Sequence, residues 1–157
     1  MLTILGLILC LLIVLWQDWR FRRIHVVLPL SVFALAMYQT HNIVTYKEIL
    51  LNIFFFLIVL ASLVVYMSIK SKKILNPFHH YFGLGDALFY IAIAPLFGLK
   101  QFAIYFIASM VFAVIMQLSF KKYIKENTVP LAGFSALLLV LIMVSDLSFN
   151  FNKLTLI

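Results

Sequence analysis

The chain has 157 residues, of which 66% are hydrophobic and 11% charged, a composition that excludes an ordinary soluble domain and points to an integral membrane protein. Its formal charge of +7 is spread over short basic clusters between apolar runs, so the cations read as topology signals and anionic-lipid contacts, with no nucleic-acid surface. The single cysteine, Cys10, lies inside the first apolar run, which excludes a disulfide framework and a cysteine-based zinc site.

Crossing about 30 Å of hydrocarbon takes about 20 helical residues. Apolar runs of that order lie near residues 2–17, 26–40, 48–69, 84–98, 101–120 and 129–147. The first lacks the basic start of a signal peptide, and Trp16-Gln17-Asp18-Trp19 after it is no small-residue cleavage site, so it is read as a retained span. The second and fourth runs are short and carry Pro29 and Pro95. Their status is decided by the basic residues. With six spans, one side receives Arg20, Arg22, Arg23, Lys70, Lys72, Lys73, Lys121, Lys122 and Lys125, nine of the twelve, and the other only Lys47, Lys100 and Lys153. By the positive-inside rule the nine-residue side is cytoplasmic and both termini lie outside. The expected fold is an all-α, polytopic membrane bundle of about six transmembrane helices, forming one domain over residues 1–157.

This topology sorts the five acidic residues. Glu48, Glu126 and Asp146 fall at span ends or in a loop as ordinary interfacial charges. Asp18 ends the first span and Asp86 begins the fourth, so both are expected at the cytoplasmic boundary, where two carboxylates of similar depth can meet. An ionisable residue within a span is costly unless paired or wet, and is a functional-site hypothesis by default. Two carboxylates held close cannot both ionise cheaply, so such a pair shares a proton. One member then serves as general base on a water while the other donates to a carbonyl oxygen, the chemistry of an aspartic protease. Gly83 and Gly85, just before Asp86, offer turns with positive φ and close backbone approach. The plainer reading is that Asp86 caps a helix start.

The motifs carry a resemblance. Asp18-Trp19-Arg20-Phe21-Arg22-Arg23-Ile24, Gly83-Leu84-Gly85-Asp86 and Val129-Pro130-Leu131-Ala132-Gly133-Phe134, in this order and on this layout, resemble the type IV prepilin peptidases of the GxGD aspartyl protease class, in a short form without the methyltransferase domain of bifunctional relatives. The resemblance implies an aspartic endopeptidase with Asp18 and Asp86 as catalytic dyad, Gly83 and Gly85 shaping the turn, and Arg23, Ile24, Pro130 and Gly133 as accessory positions. It implies a substrate as well: a type IV pilin-like precursor, with a short basic leader and a hydrophobic helix, cut at the cytoplasmic face of a bacterial membrane. Neither cofactor nor metal is implied. The family pattern usually continues with proline and an asparagine or aspartate after Ile24, where this chain has His25 and Val26, and has lysine where this chain has Leu88. These departures motivate the alternative of a non-catalytic relative that binds precursors and assists pilus or secretion assembly.

Other features read more plainly. His79-His80 is expected as a solvated loop pair and His25 as an interfacial residue. Trp16, Trp19 and Tyr38 stand where aromatic belts form. Phe54-Phe55-Phe56 reads as packing or lipid contact, and Ala92, Ala94, Ala103 and Ser109 as close helix contacts.

Overall fold

The computed structural model describes residues 2–41, 43–71, 83–120 and 129–149. Lys72, Lys73, His79, His80, Lys121, Lys122, Lys125, Glu126 and Lys153 lie outside the described residues.

The described chain forms an all-α bundle of six helices: α1 (Leu2–Phe21), α2 (Val27–Thr40), α3 (Tyr46–Ser71), α4 (Leu84–Ile93), α5 (Leu99–Ser119) and α6 (Leu131–Phe149), with a 3-10 turn, Ala94–Leu96, closing α4. Each expected apolar run is a helix. α1 runs four residues beyond its run and takes Asp18 into its last turn. Thr3–Phe21, Tyr46–Lys70 and Leu99–Ser119 are long and apolar enough to cross a membrane, while Val27–Thr40, Leu84–Leu96 and Leu131–Asp146 are shorter apolar helices.

The bundle is apolar outside and packs a largely apolar core in which a few polar groups are enclosed. Leu5, Leu9, Leu50, Phe54, Ile104, Ile107 and Leu118 are exposed, whereas Asp18, Thr40, Asn52, Ser109 and Ser135 are buried. Lipid solvates the first set, and each buried polar group must find its partner within the protein. Leu7, Leu11, Val14, Val32, Phe56, Phe89 and Tyr90 form the packed centre around them.

Helix directions follow from contacts between their ends. Thr3 at the start of α1 donates to Gln39 Oε1 near the end of α2 at 2.7 Å, so these helices run antiparallel. The start of α3 is fixed by Thr45 and Glu48, spaced as a capping box, with the Thr45 N–H donating to Glu48 Oε2 at 3.0 Å.

α4 is only ten residues long. Pro95 offers no N–H to Ile91 four residues back, so the Ala94 N–H takes the Ile91 carbonyl instead and the last turn tightens. The carbonyls freed there are satisfied from neighbouring helices. Asn52 Nδ2 donates to Ala94 O at 2.9 Å and to Phe97 O at 2.6 Å, and Thr40 Oγ1 to Pro95 O at 3.0 Å. Above this break, Tyr90 of α4 shares hydrogen bonds with Ser109 of α5 at 2.8 Å and Ser135 of α6 at 3.0 Å, and Tyr105 donates to Ser135 O at 2.7 Å. The Asn52 and Thr40 contacts at the break hold the far end of α4, and hence the depth at which Asp86 stands.

Candidate active site

Asp18 lies in the last turn of α1, buried to 6% exposure. The helix ends at Phe21 because Arg22 enters the left-handed region, φ 54°, and its N–H closes on Asp18 O at 3.2 Å. Glycine usually fills that C-terminal position. An arginine held there costs about 1–3 kcal/mol in backbone strain. The turn folds the following chain back over the helix end, where the His25 N–H donates to Gln17 Oε1 at 3.0 Å and Ile24 packs against the core.

Asp86 stands in the first turn of α4, three residues after the capping position Gly83. The Gly83 N–H donates to Asp86 Oδ2 at 3.2 Å, and the Asp86 N–H to Gly83 O at 3.0 Å. The plainer expectation is thereby met in part, because Asp86 does satisfy the start of its own helix, although from the third helical position. The expected positive φ does not occur. Gly83 is extended, with φ −67°, and among the described residues no glycine has positive φ. Their value is space. A Cβ on Gly83 would fall 2.8 Å from Asp86 Oδ2, and one on Gly85 would lie 3.2 Å from Ile24 Cδ1 and 3.3 Å from its Cβ.

The two carboxylates are brought together by α6. Pro130 precedes its first residue, and the N–H groups of a helix's first turn have no partner within the helix. Two of them are spent here on consecutive residues: the Ala132 N–H donates to Asp86 Oδ1 at 2.8 Å and the Gly133 N–H to Asp18 Oδ2 at 2.7 Å. The positive end of the helix dipole favours anions at this position. Gly133 is required by proximity, since a Cβ there would meet Asp18 Oδ2 at 3.1 Å and Asp18 Cβ at 3.2 Å. One helix start therefore grips both acids, and each acid closes the end of a different helix.

Of the sequence-named positions, Gly83 contacts Asp86 and Gly133 contacts Asp18, the two acids are joined through neighbouring α6 amides, and Ile24 and Gly85 form a contact of their own. Pro130 is buried at the start of α6, while Arg23 is exposed. Arg22, read only as a lipid and topology cation, instead lies within electrostatic range of both carboxylates. Beside Asp18, Trp19 packs edge-on against Phe120 at 5.8 Å and Phe134 at 5.6 Å, bordering an apolar cavity of about 340 Å³ between α1, α5 and α6.

The family model described as the type IV leader peptidase family matches residues 5–118. The chain belongs to the type IV leader peptidase family. The match spans both aspartates, both glycines before Asp86 and the basic stretch after Asp18. No curated protein and no solved structure matches the chain. The amides that hold the two acids come from α6, beyond the segment by which leader peptidase membership is recognised, and sequence reasoning reached them only as the third, least specific motif. Proline ahead of an apolar run is a helix-start signal, and orphan N–H groups follow from it. Nothing in the sequence says which acids will take them.

Proposed function

We propose that this member of the family is a membrane-embedded aspartic endopeptidase that removes the basic leader from type IV pilin-like precursors, with Asp18 and Asp86 as its dyad. The observation carrying this reading is the adjacent pair of donors, Ala132 to Asp86 and Gly133 to Asp18. Buried carboxylates are costly at membrane depth, and two gripped by consecutive amides are arranged to act as a unit. The pair holds one proton between its members, and the titration belongs to the pair.

In the proposed reaction the ionised carboxylate removes a proton from a water as its oxygen attacks the scissile carbonyl carbon. The protonated partner donates to the carbonyl oxygen, giving a neutral tetrahedral intermediate. Collapse of that intermediate returns a proton to the dyad while the departing nitrogen takes one, so the C–N bond breaks and the starting protonation is restored. Each carboxylate keeps one oxygen on an α6 amide, and Asp86 Oδ2 also accepts from the Gly83 N–H, so the acids are fixed and the reacting protons pass at Asp18 Oδ1 and Asp86 Oδ2. The helix-start charge steadies the single negative charge throughout the cycle.

The cytoplasmic placement of this face rests on the nine basic residues assigned to one side, and the peptidase is taken as one unit over residues 1–157. Co-expression with pilin-like precursors, scored by a mobility shift, tests the activity. Cleavage retained by Asp18→Asn or Asp86→Asn would remove the dyad. Purified protein that binds a precursor across pH and lipid conditions yet never cuts it would establish the non-catalytic alternative.

A further inference from the structure

Three side-chain polar atoms among the described residues are buried without a hydrogen-bond partner: Arg22 Nη1, Asn52 Oδ1 and Gln117 Oε1. Only Arg22 offers a donor. Its guanidinium lies within electrostatic range of Asp18 and Asp86, yet Nη1 bonds to neither. A buried, charged N–H left unmade is expensive, and Arg22 also holds a left-handed backbone, φ 54°, where glycine would sit without strain. Two costs at one residue call for a function of its side chain.

Resting on the dyad reading above, we infer that Arg22 is a substrate-binding residue whose Nη1 donates to a backbone carbonyl oxygen of the precursor beside the scissile bond. A peptide must leave its helix to reach the two carboxylates, and at membrane depth each carbonyl released by unwinding needs a donor. The backbone donors seen on the two acids are committed, Ala132 and Gly83 to Asp86 and Gly133 to Asp18. Arg22 supplies one that is unspent. A neutral carbonyl fits better than a substrate carboxylate, because the guanidinium already faces two acids. A basic leader side chain is repelled by it. The guanidinium is rigid, permanently charged and weakly hydrated, which suits it to a donor held away from water.

Arg22→Gly separates the side chain from the backbone, since glycine keeps the left-handed turn and deletes the whole side chain, guanidinium included; Arg22→Lys keeps an aliphatic stem and charge. The measurement uses the full chain in zwitterionic nanodiscs and a fluorescent synthetic precursor carrying a basic leader and hydrophobic helix. Binding is read by anisotropy, cleavage by product formation and folding by thermal denaturation. Arg22→Gly is expected to melt no lower than wild type, to weaken precursor binding about tenfold or more, and to raise KM in proportion with little change in kcat. Arg22→Lys, with its charge but without the planar fork, is expected to fall between the two. Wild-type affinity in Arg22→Gly overturns the inference. So does a loss confined to kcat, which would mean that Arg22 acts through the carboxylates, or a defect seen only with anionic lipid, which would make it a headgroup anchor. Should Arg22→Gly fail to insert, Arg22→Lys binding as wild type overturns the inference and a weakened affinity upholds it. Cleavage surviving in Asp18→Asn would sink the dyad alone, because the binding measurement needs no turnover.

Discussion

Asp18 and Asp86 are held by neighbouring amides of one helix start, Gly133 to the first at 2.7 Å and Ala132 to the second at 2.8 Å. Under the dyad reading, neither acid can be replaced by its amide without losing the shared proton. Asp18→Asn and Asp86→Asn are each expected to lower precursor cleavage by at least about 100-fold, the lower range for general acid–base groups, with membrane insertion unchanged. A precursor mobility shift, scored beside membrane fractionation, checks both halves.

Gly133→Ala opposes stability and activity in sign. Alanine is the better helix former by about 1 kcal/mol, but its methyl would reach Asp18 Oδ2 at 3.1 Å and Asp18 Cβ at 3.2 Å. The expected outcome is a melting temperature that holds and cleavage that falls about tenfold or more, read from thermal denaturation and initial rates on one preparation.

Gly85 and Ile24 make a reciprocal pair. An alanine methyl at position 85 would press on Ile24 Cδ1 at 3.2 Å and on its Cβ at 3.3 Å, shifting the segment after Arg22 away from Asp86. Gly85→Ala should impair cleavage, and adding Ile24→Ala should recover part of the loss. A double-mutant cycle on kcat/KM measures the coupling, and strict additivity would show that the two do not communicate.

Asn52→Ala removes the donors from Ala94 O and Phe97 O, where α4 breaks. Two buried carbonyls left bare cost about 1–3 kcal/mol each in soluble proteins, and membrane hydrogen bonds average about 0.6 kcal/mol, so a loss of about 1–3 kcal/mol is expected by detergent unfolding. Tyr90→Phe, by contrast, loses its bonds to Ser109 and Ser135 while keeping its packing, and should cost about 1 kcal/mol with cleavage intact.

Much of the fold was legible because apolar run length maps directly onto helices. All six runs became helices, and the two prolines proved compatible, Pro29 within the first turn of α2 and Pro95 at the break that ends α4. Depth was legible too: residues at the end of α1 and the start of α4 share one end of the bundle. What escaped was anything set by backbone direction. Arg20, Arg22 and Arg23 are equivalent as letters, and only the left-handed turn turns Arg22 inward. Gly83 and Gly85 suggested unusual dihedrals, whereas both take ordinary ones and are small because Asp86 and Ile24 press on them. The amides of Ala132 and Gly133 belong to side chains with no chemistry, so no motif could assign them a role.

The short α4 also governs access. With its 3-10 extension it covers about 20 Å, against a hydrocarbon layer of about 30 Å, and Thr40 and Asn52 anchor its far end. If that end lies flush with one surface of the bilayer, the acids stand about 10 Å beneath the other. Under the dyad reading, water and polypeptide must then descend that distance to react, so bilayer thickness itself becomes a control on turnover.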